Sequence, residues 1–247
     1  MLHLFSRYLP PEGRVLDLGG GPGRYTLELA QRGYHVSLVD LAERHIAWAR
    51  EKIQAAGLTG RVEECRVGDA RCLNFFPDSC FDAVLCMGPL YHLPKRDDRL
   101  LCLRECARVM KANAPLFATL LPRPAYIRDT LRGGGFHPLR PEDWQAMQDI
   151  LRQGSSPAAR VPQSYYCDVN EIQSWFEETG FDRLTMASAH GVAAFLDEPV
   201  NQAAQDAPTW GNLVQLILET CEDPHMVSAA EHLIIVCKKS SRPGVTP

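Results

Sequence analysis

Three aspartates and a tyrosine–histidine pair follow short apolar runs in the first hundred residues. Asp17 lies in VLDLGGGPG, Asp40 closes HVSLVD, Asp69 lies in GDA, and Tyr91-His92 follow FDAVLCMGPL. A carboxylate can accept both hydroxyls of a diol in charge-assisted hydrogen bonds. An imidazole can take up a proton near neutral pH. Four glycines, Gly19, Gly20, Gly21 and Gly23, separate the first apolar run from the helix-forming RYTLELAQRG. Glycine within an element costs up to about 1 kcal/mol relative to alanine. The turn therefore needs unusual backbone angles, or something presses against bare backbone. A glycine turn opening a helix offers free N–H groups at the positive end of the helix dipole.

Two phosphate-binding loops do not fit this turn. The P-loop pattern G-x-x-x-x-G-K-S/T needs a lysine, and the turn has none. The dinucleotide pattern G-x-G-x-x-G places its third glycine on Arg24 in one register and on Thr26 in the other. The spacing D-x-G-x-G-x-G does fit, at Asp17, Gly19, Gly21 and Gly23.

The elements that must position these residues alternate. RVLDLG, HVSLVD, RVEECRVGDA, FDAVLCMG and APLFATLL read as strands, with helical stretches between them ending at Gly33, at Gly57 and near Lys111. This rhythm predicts a parallel sheet with helices on both faces. It breaks over 122–168, a stretch rich in Pro, Gly and Arg. It returns with NEIQSWFEETG, where Asn170 is the expected N-cap and Gly180 the stop. The strand DRLTMASAH follows, then a second irregular stretch over 191–228, then the strand EHLIIVCKK. The expected organisation is an N-terminal helix and binding half over 1–121, a lid insertion over 122–168, a second half of the sheet over 169–240, and a frayed tail over 241–247.

Composition narrows the function classes. The net charge of −4 advertises no basic face, so no nucleic-acid partner is expected. No apolar run is long enough to span a bilayer, and the start lacks the pattern of a signal peptide. The nine cysteines contain no C-x-x-C and read as reduced, mostly buried thiols of a cytoplasmic protein.

The ordered motifs resemble the class I S-adenosylmethionine (SAM)-dependent methyltransferases, and GPLYHL resembles their UbiE-like (methyltransferase type 11) small-molecule group. The resemblance covers residues 14–121, 170–189 and 231–239. It implies a Rossmann-like seven-stranded, mostly parallel sheet with an antiparallel last strand and lid insertions. It implies SAM as cofactor and S-adenosylhomocysteine as product. Cofactor contacts are expected at Asp17, Gly19, Gly20, Gly21, Gly23, Asp40, Leu41, Asp69, Ala70, Met87 and Gly88. Asp40 would accept the ribose hydroxyls, and Asp17 would organise the glycine loop. Asp69 would face adenine or simply form an Asx turn.

Methyl transfer from a sulfonium is an in-line displacement that positioning alone can accelerate. A base is needed only where the acceptor must lose a proton. Tyr91 and His92 are the catalytic candidates, with packing and a structural hydrogen bond as their plain alternatives. The fourth-strand loop reads Met87-Gly88 where metal-dependent relatives carry an aspartate, so no metal is expected. The expected acceptor is an oxygen or nitrogen of a small molecule. Rival readings are a non-catalytic SAM-binding regulatory or assembly protein and an aminopropyltransferase-like enzyme, and both a monomer and a homodimer are compatible with the sequence. Tyr126, Phe136, His137, Trp144, Tyr165, Tyr166 and Trp210 are expected mainly as core of the insertions, with some facing an acceptor. LHLFSRYL would cover the cofactor alone, unless the true start lies upstream.

Overall fold

The computed structural model describes residues 1–132, 141–159 and 164–240. Its elements run α1 (Leu2–Tyr8), β1 (Arg14–Leu18), α2 (Arg24–Gln31), β2 (His35–Asp40), α3 (Glu43–Ala55), β3 (Val62–Val67), β4 (Ala83–Cys86), α4 (Arg96–Val109) and β5 (Pro115–Pro122). They continue as α5 (Arg123–Arg132), α6 (Pro141–Gln153), β6 (Tyr166–Cys167), α7 (Val169–Glu178), β7 (Phe181–Ser188), α8 (Asp197–Ala203), α9 (Ala207–Thr220), α10 (Pro224–Ser228) and β8 (Leu233–Lys239). The sheet order is β3-β2-β1-β4-β5-β8-β7, with β6 added beside β5. It is mostly parallel with an antiparallel C-terminal strand. The short β6 makes eight strands among the described residues where seven were expected.

The chain divides into two compact units. The first comprises Met1–Ala118, Gln173–Leu184 and Val236–Pro247. Its central strands are buried on both faces, as a helix-covered parallel sheet requires. Leu18 pairs with Val39 on one side and with Cys86 on the other, and Asp40 pairs with Val67. This register brings the carboxyl ends of β1 to β4 level, so the loops that follow them share one edge. Phe5 of α1 packs edge-on against Tyr25 and Phe117, with ring centroids 5.5 and 5.1 Å away. All nine cysteines are free thiols, and only Cys65 and Cys72 are not buried.

The second unit comprises Thr119–Ile172 and Thr185–Ile235. The stretches expected to be irregular are largely helical here: α5 and α6 in one, α8, α9 and α10 in the other. The prolines that read as breakers occupy first helical turns. Pro141 opens α6, and Pro208 and Pro224 stand at the starts of α9 and α10. There the missing N–H costs nothing, because it would have had no partner within the helix. Asp206 and Asp223 cap the last two helices through Thr209 N and His225 N.

Asn170 is not the cap of α7. Asp168 Oδ1 accepts from Asn170 N at 2.9 Å, and Glu171 Oε1 accepts from Asp168 N at 2.8 Å, a reciprocal capping box two residues earlier than expected. Tyr126, Ala146, Met147 and Ile150 form a small apolar core within this unit, with Tyr166 packed against it. Tyr165 is buried, and Trp144 and Trp210 are exposed. Phe136, His137 and the tail 241–247 lie outside the described residues.

Candidate active site

The glycine turn between β1 and α2 is shaped by its neighbours. Gly19 has φ +70°, and a Cβ there would lie 2.5 Å from Pro89 Cδ. A Cβ on Gly20 would lie 2.3 Å from Leu38 Cδ1 and 2.5 Å from Asp17 Cγ. Gly23, at φ +80°, is the left-handed N-cap of α2. Gly21 differs from these three. Its φ is +55°, yet a Cβ there would meet nothing closer than His45 Nδ1 at 3.9 Å. Packing inside the protein thus accounts for bare backbone at Gly19 and Gly20, whereas Gly21 turns an open face outward.

Two aspartates hold this turn from below and beside. Asp17 is fully buried, and its Oδ2 accepts from Thr26 Oγ1 at 2.7 Å. Its other oxygen is buried with no hydrogen-bond partner among the described residues. Burial pushes the Asp17 carboxyl up to about 6, against the pull of the Thr26 hydrogen bonds, and the Asp40 charge adds to the rise. Asp40 Oδ2 accepts from Gly21 N at 2.8 Å. Its Oδ1 accepts from Ala42 N at 2.9 Å and lies 3.1 Å from His45 Nδ1. Asp40 therefore joins the end of β2 to the glycine turn as well as capping the next turn. Each carboxylate oxygen has two acceptor sites, so Oδ2 keeps one for a hydroxyl, whereas both sites of Oδ1 are taken when His45 Nδ1 carries its proton. Leu41 beside it is 71 % exposed.

Asp69 is built differently. Arg71 binds it through N at 2.9 Å, Nε at 3.0 and 3.1 Å, and Nη2 at 2.6 Å. These bonds hold the Asp69 carboxyl below its ordinary value. Arg71 also lies 3.1 Å from Asp98. Asp69 forms the Asx turn, with Ala70 inside it.

The segment after β4 completes the edge. Gly88 is buried, and a Cβ on it would lie 3.4 Å from Gly19 O and 3.8 Å from Tyr91 Oη. Pro89–His92 forms one short 3-10 turn. The Tyr91 and His92 rings lie 4.7 Å apart, inclined at 57°. Partial burial pushes His92 below the ordinary histidine value, with the Asp40 charge acting in the opposite sense. The ring is therefore mostly neutral at pH 7. Arg99, a residue with no role in the sequence reading, anchors the far end. Its Nη1 donates to Leu93 O at 2.7 Å and Pro94 O at 2.9 Å, and its guanidinium lies 4.5 Å over the Trp175 ring. His45, Arg71 and Pro89 were likewise unpredicted. Only Pro89 left a signal, standing next to Gly88 in a motif already singled out.

The glycine turn, Asp40 and the Gly88-Pro89 segment thus interlock at the carboxyl edge of the sheet. Residues 15–113, which span this edge, match the methyltransferase domain family. The chain is 34 % identical over 122 residues to a ubiquinone biosynthesis O-methyltransferase of Xanthomonas campestris, a match covering 49 % of this chain and 48 % of that protein. It is 36 % identical over 111 residues to the enzyme of the same name from Xanthomonas oryzae, covering 44 % of each. The chain thus matches about half the length of these curated relatives. A SAM-dependent methyltransferase structure from Methanosarcina mazei superposes with TM-score 0.64 at 19 % identity, over 97 % of this chain and 98 % of that one. The fold is that of the Rossmann-like methyltransferases. No described helix is long and apolar enough to cross a membrane.

Proposed function

We propose that this chain transfers the methyl group of SAM to an oxygen or nitrogen of a small molecule, releasing S-adenosylhomocysteine. The observation that carries the reading is the Asp40 carboxylate. It holds Gly21 N while keeping an acceptor site on Oδ2, beside the open face of Gly21. A ribose diol needs such a carboxylate, and the amino-acid part of the cofactor needs the uncovered backbone. When bound, SAM supplies a methyl group already activated by its sulfonium charge.

The chain's residues would then divide the work. Gly19, Gly20, Gly21 and Gly23 give the turn its shape, and Asp17 supports it from beneath through Thr26. Asp40 orients the ribose, with Leu41 exposed alongside. Met87 and Gly88 form the wall facing the transferring group. Ala70 lines the adenine side, and Asp69 serves there as the turn's anchor. His92, mostly neutral at pH 7, accepts the acceptor's proton, and Tyr91 packs its ring against the imidazole. Methyl transfer itself needs no metal here, since Met87-Gly88 offers no oxygen-rich side chain. The chain works in the aqueous phase of the cytoplasm.

Calorimetry tests the cofactor reading. SAM and S-adenosylhomocysteine should bind in the micromolar range, and NAD should not bind. NAD binding without SAM binding would overturn it. Turnover of labelled SAM against a panel of hydroxyl- and amine-bearing metabolites tests the acceptor class. Tight SAM binding with no turnover of any acceptor would favour a regulatory protein.

A further inference from the structure

Three side chains of the second unit stand outside the methyl-transfer reading. His190 lies two residues beyond β7, and Glu231 and His232 immediately precede β8. Ala189 N donates to His232 O at 2.9 Å, so backbone pairing locks the two strand ends together at this point. One donor atom from each of the three residues lies within 4.8 Å of the other two.

The spacing inside this group is informative. His190 Nδ1 is 3.7 Å from Glu231 Oε2, too far for a hydrogen bond. The same nitrogen is buried and has no hydrogen-bond partner among the described residues. Two donors each about 2.1 Å from a tetrahedral metal ion are roughly 3.4 Å apart. The gap is therefore too wide for direct bonding and close to the edge of a metal coordination sphere. Glu231 is also held as a ligating carboxylate needs to be. Its Oε1 accepts from Phe195 N and, at 3.1 Å, from Arg132 Nη1, leaving Oε2 directed at the histidine. Partners that fix the outer oxygen of a carboxylate orient the inner one for a metal.

We propose that His190, Glu231 and His232 bind a divalent transition-metal ion, with Zn²⁺ as the best-suited candidate. Two imidazoles and one carboxylate match the donor preference of Zn²⁺ and its neighbours, whereas Mg²⁺ and Ca²⁺ favour oxygen donors throughout. Three protein ligands leave a further position for water or an external donor. Glu231 and His232 also line a cavity of about 220 Å³ together with Tyr126, Tyr166 and Phe195. The Tyr126 hydroxyl is buried there without a partner among the described residues. The ion is thus held at the wall of a cavity with room for a small ligand.

The test uses the full chain freed of metal by chelation and dialysis. Zn²⁺ titrated by calorimetry should bind with about one-to-one stoichiometry in the micromolar range or tighter, and should raise Tm. His190→Gln and His232→Asn should each weaken binding at least tenfold. Co²⁺ should give the visible bands of nitrogen and oxygen ligation and broaden the NMR signals of two histidines, a readout independent of whether either variant folds. Intense thiolate-to-cobalt absorption would instead place the ion at the buried Cys86, Cys102 and Cys106 group and overturn the assignment. Absence of saturable Zn²⁺ binding would overturn it as well, leaving His190 and Glu231 as an ion pair. Neither outcome touches the cofactor reading, which rests on a different unit.

Discussion

The two units build their polar sites from different materials. In the first, main chain does most of the work. Gly21 N reaches Asp40, Gly19 N donates to Val39 O at 2.7 Å, and the Pro89 ring fills the space a Cβ on Gly19 would need. In the second, long side chains gather from distant segments. Arg132 lies 2.8 Å from Asp129 and 3.1 Å from both Asp197 and Glu231, while Arg128 stacks over Phe195 at 4.1 Å. A backbone-built site demands glycine at fixed positions and tolerates little change. A side-chain-built site leaves no local pattern, and its members can be exchanged singly.

The largest expected effect falls on His92. His92→Ala should lower kcat by about 10²–10⁴-fold without weakening SAM binding. The wild-type rate should fall as pH drops through the depressed His92 value, below the ordinary 6.5, because the neutral base is lost there. The variant should lack that limb. A fully active, stable variant would leave positioning as the sole source of acceleration.

Gly20→Ala comes next. Its Cβ would sit within 2.5 Å of Leu38 and Asp17, so the core or the turn must shift, at a cost of about 1–3 kcal/mol. Thermal melts should show the loss and calorimetry should show weaker SAM binding. Asp40→Ala should raise the SAM dissociation constant at least about tenfold, or roughly 1.4 kcal/mol. The bonds to Gly21 N and Ala42 N mean that Tm without cofactor should fall as well. Unchanged affinity with a lowered Tm would confine Asp40 to holding the turn.

Asp17 offers a smaller effect with a defined sign. Its folded pKa, about 6, lies above the unfolded value of 3.8, so the folded state holds the proton more tightly. Lowering pH from 7 to 5 should therefore add about 1 kcal/mol from this group, a gain lost as pH rises through 6. Denaturant titrations at the two pH values, compared with Asp17→Asn, isolate it. The smallest effect belongs to the second unit. Gly211 lies within α9 with nothing within 4 Å of a built Cβ. Gly211→Ala should stabilise by up to about 1 kcal/mol and leave SAM binding unchanged. Opposite signs at Gly20 and Gly211 would sharpen the contrast between the units, whereas equal signs would break it.

The alternation of strands and helices up to Ala118 was legible because buried parallel strands are continuously apolar and helices end on glycine. The turn from Asp17 to Gly23 was legible because glycines at that spacing have few other uses. The helices of the second unit were hidden by prolines, whose place in a first turn cannot be told from a loop before the cap is known. Asp69 was ambiguous because its partner, Arg71, is an ordinary exposed arginine. His190 and Glu231 are separated by a run of three helices, and no spacing rule links them.

Arg99 bears on timescale. The segment carrying His92 is moored at both ends, by Pro89 beneath Gly19 and by the Leu93 and Pro94 carbonyls on a guanidinium stacked against Trp175. Between the moorings lie only Leu90, Tyr91 and His92, and Leu90 is buried. So short a span has no slack for the microsecond-to-millisecond opening of a loop. Adjustment to an arriving molecule is left to rotamer exchange of two aromatic rings, a picosecond-to-nanosecond motion.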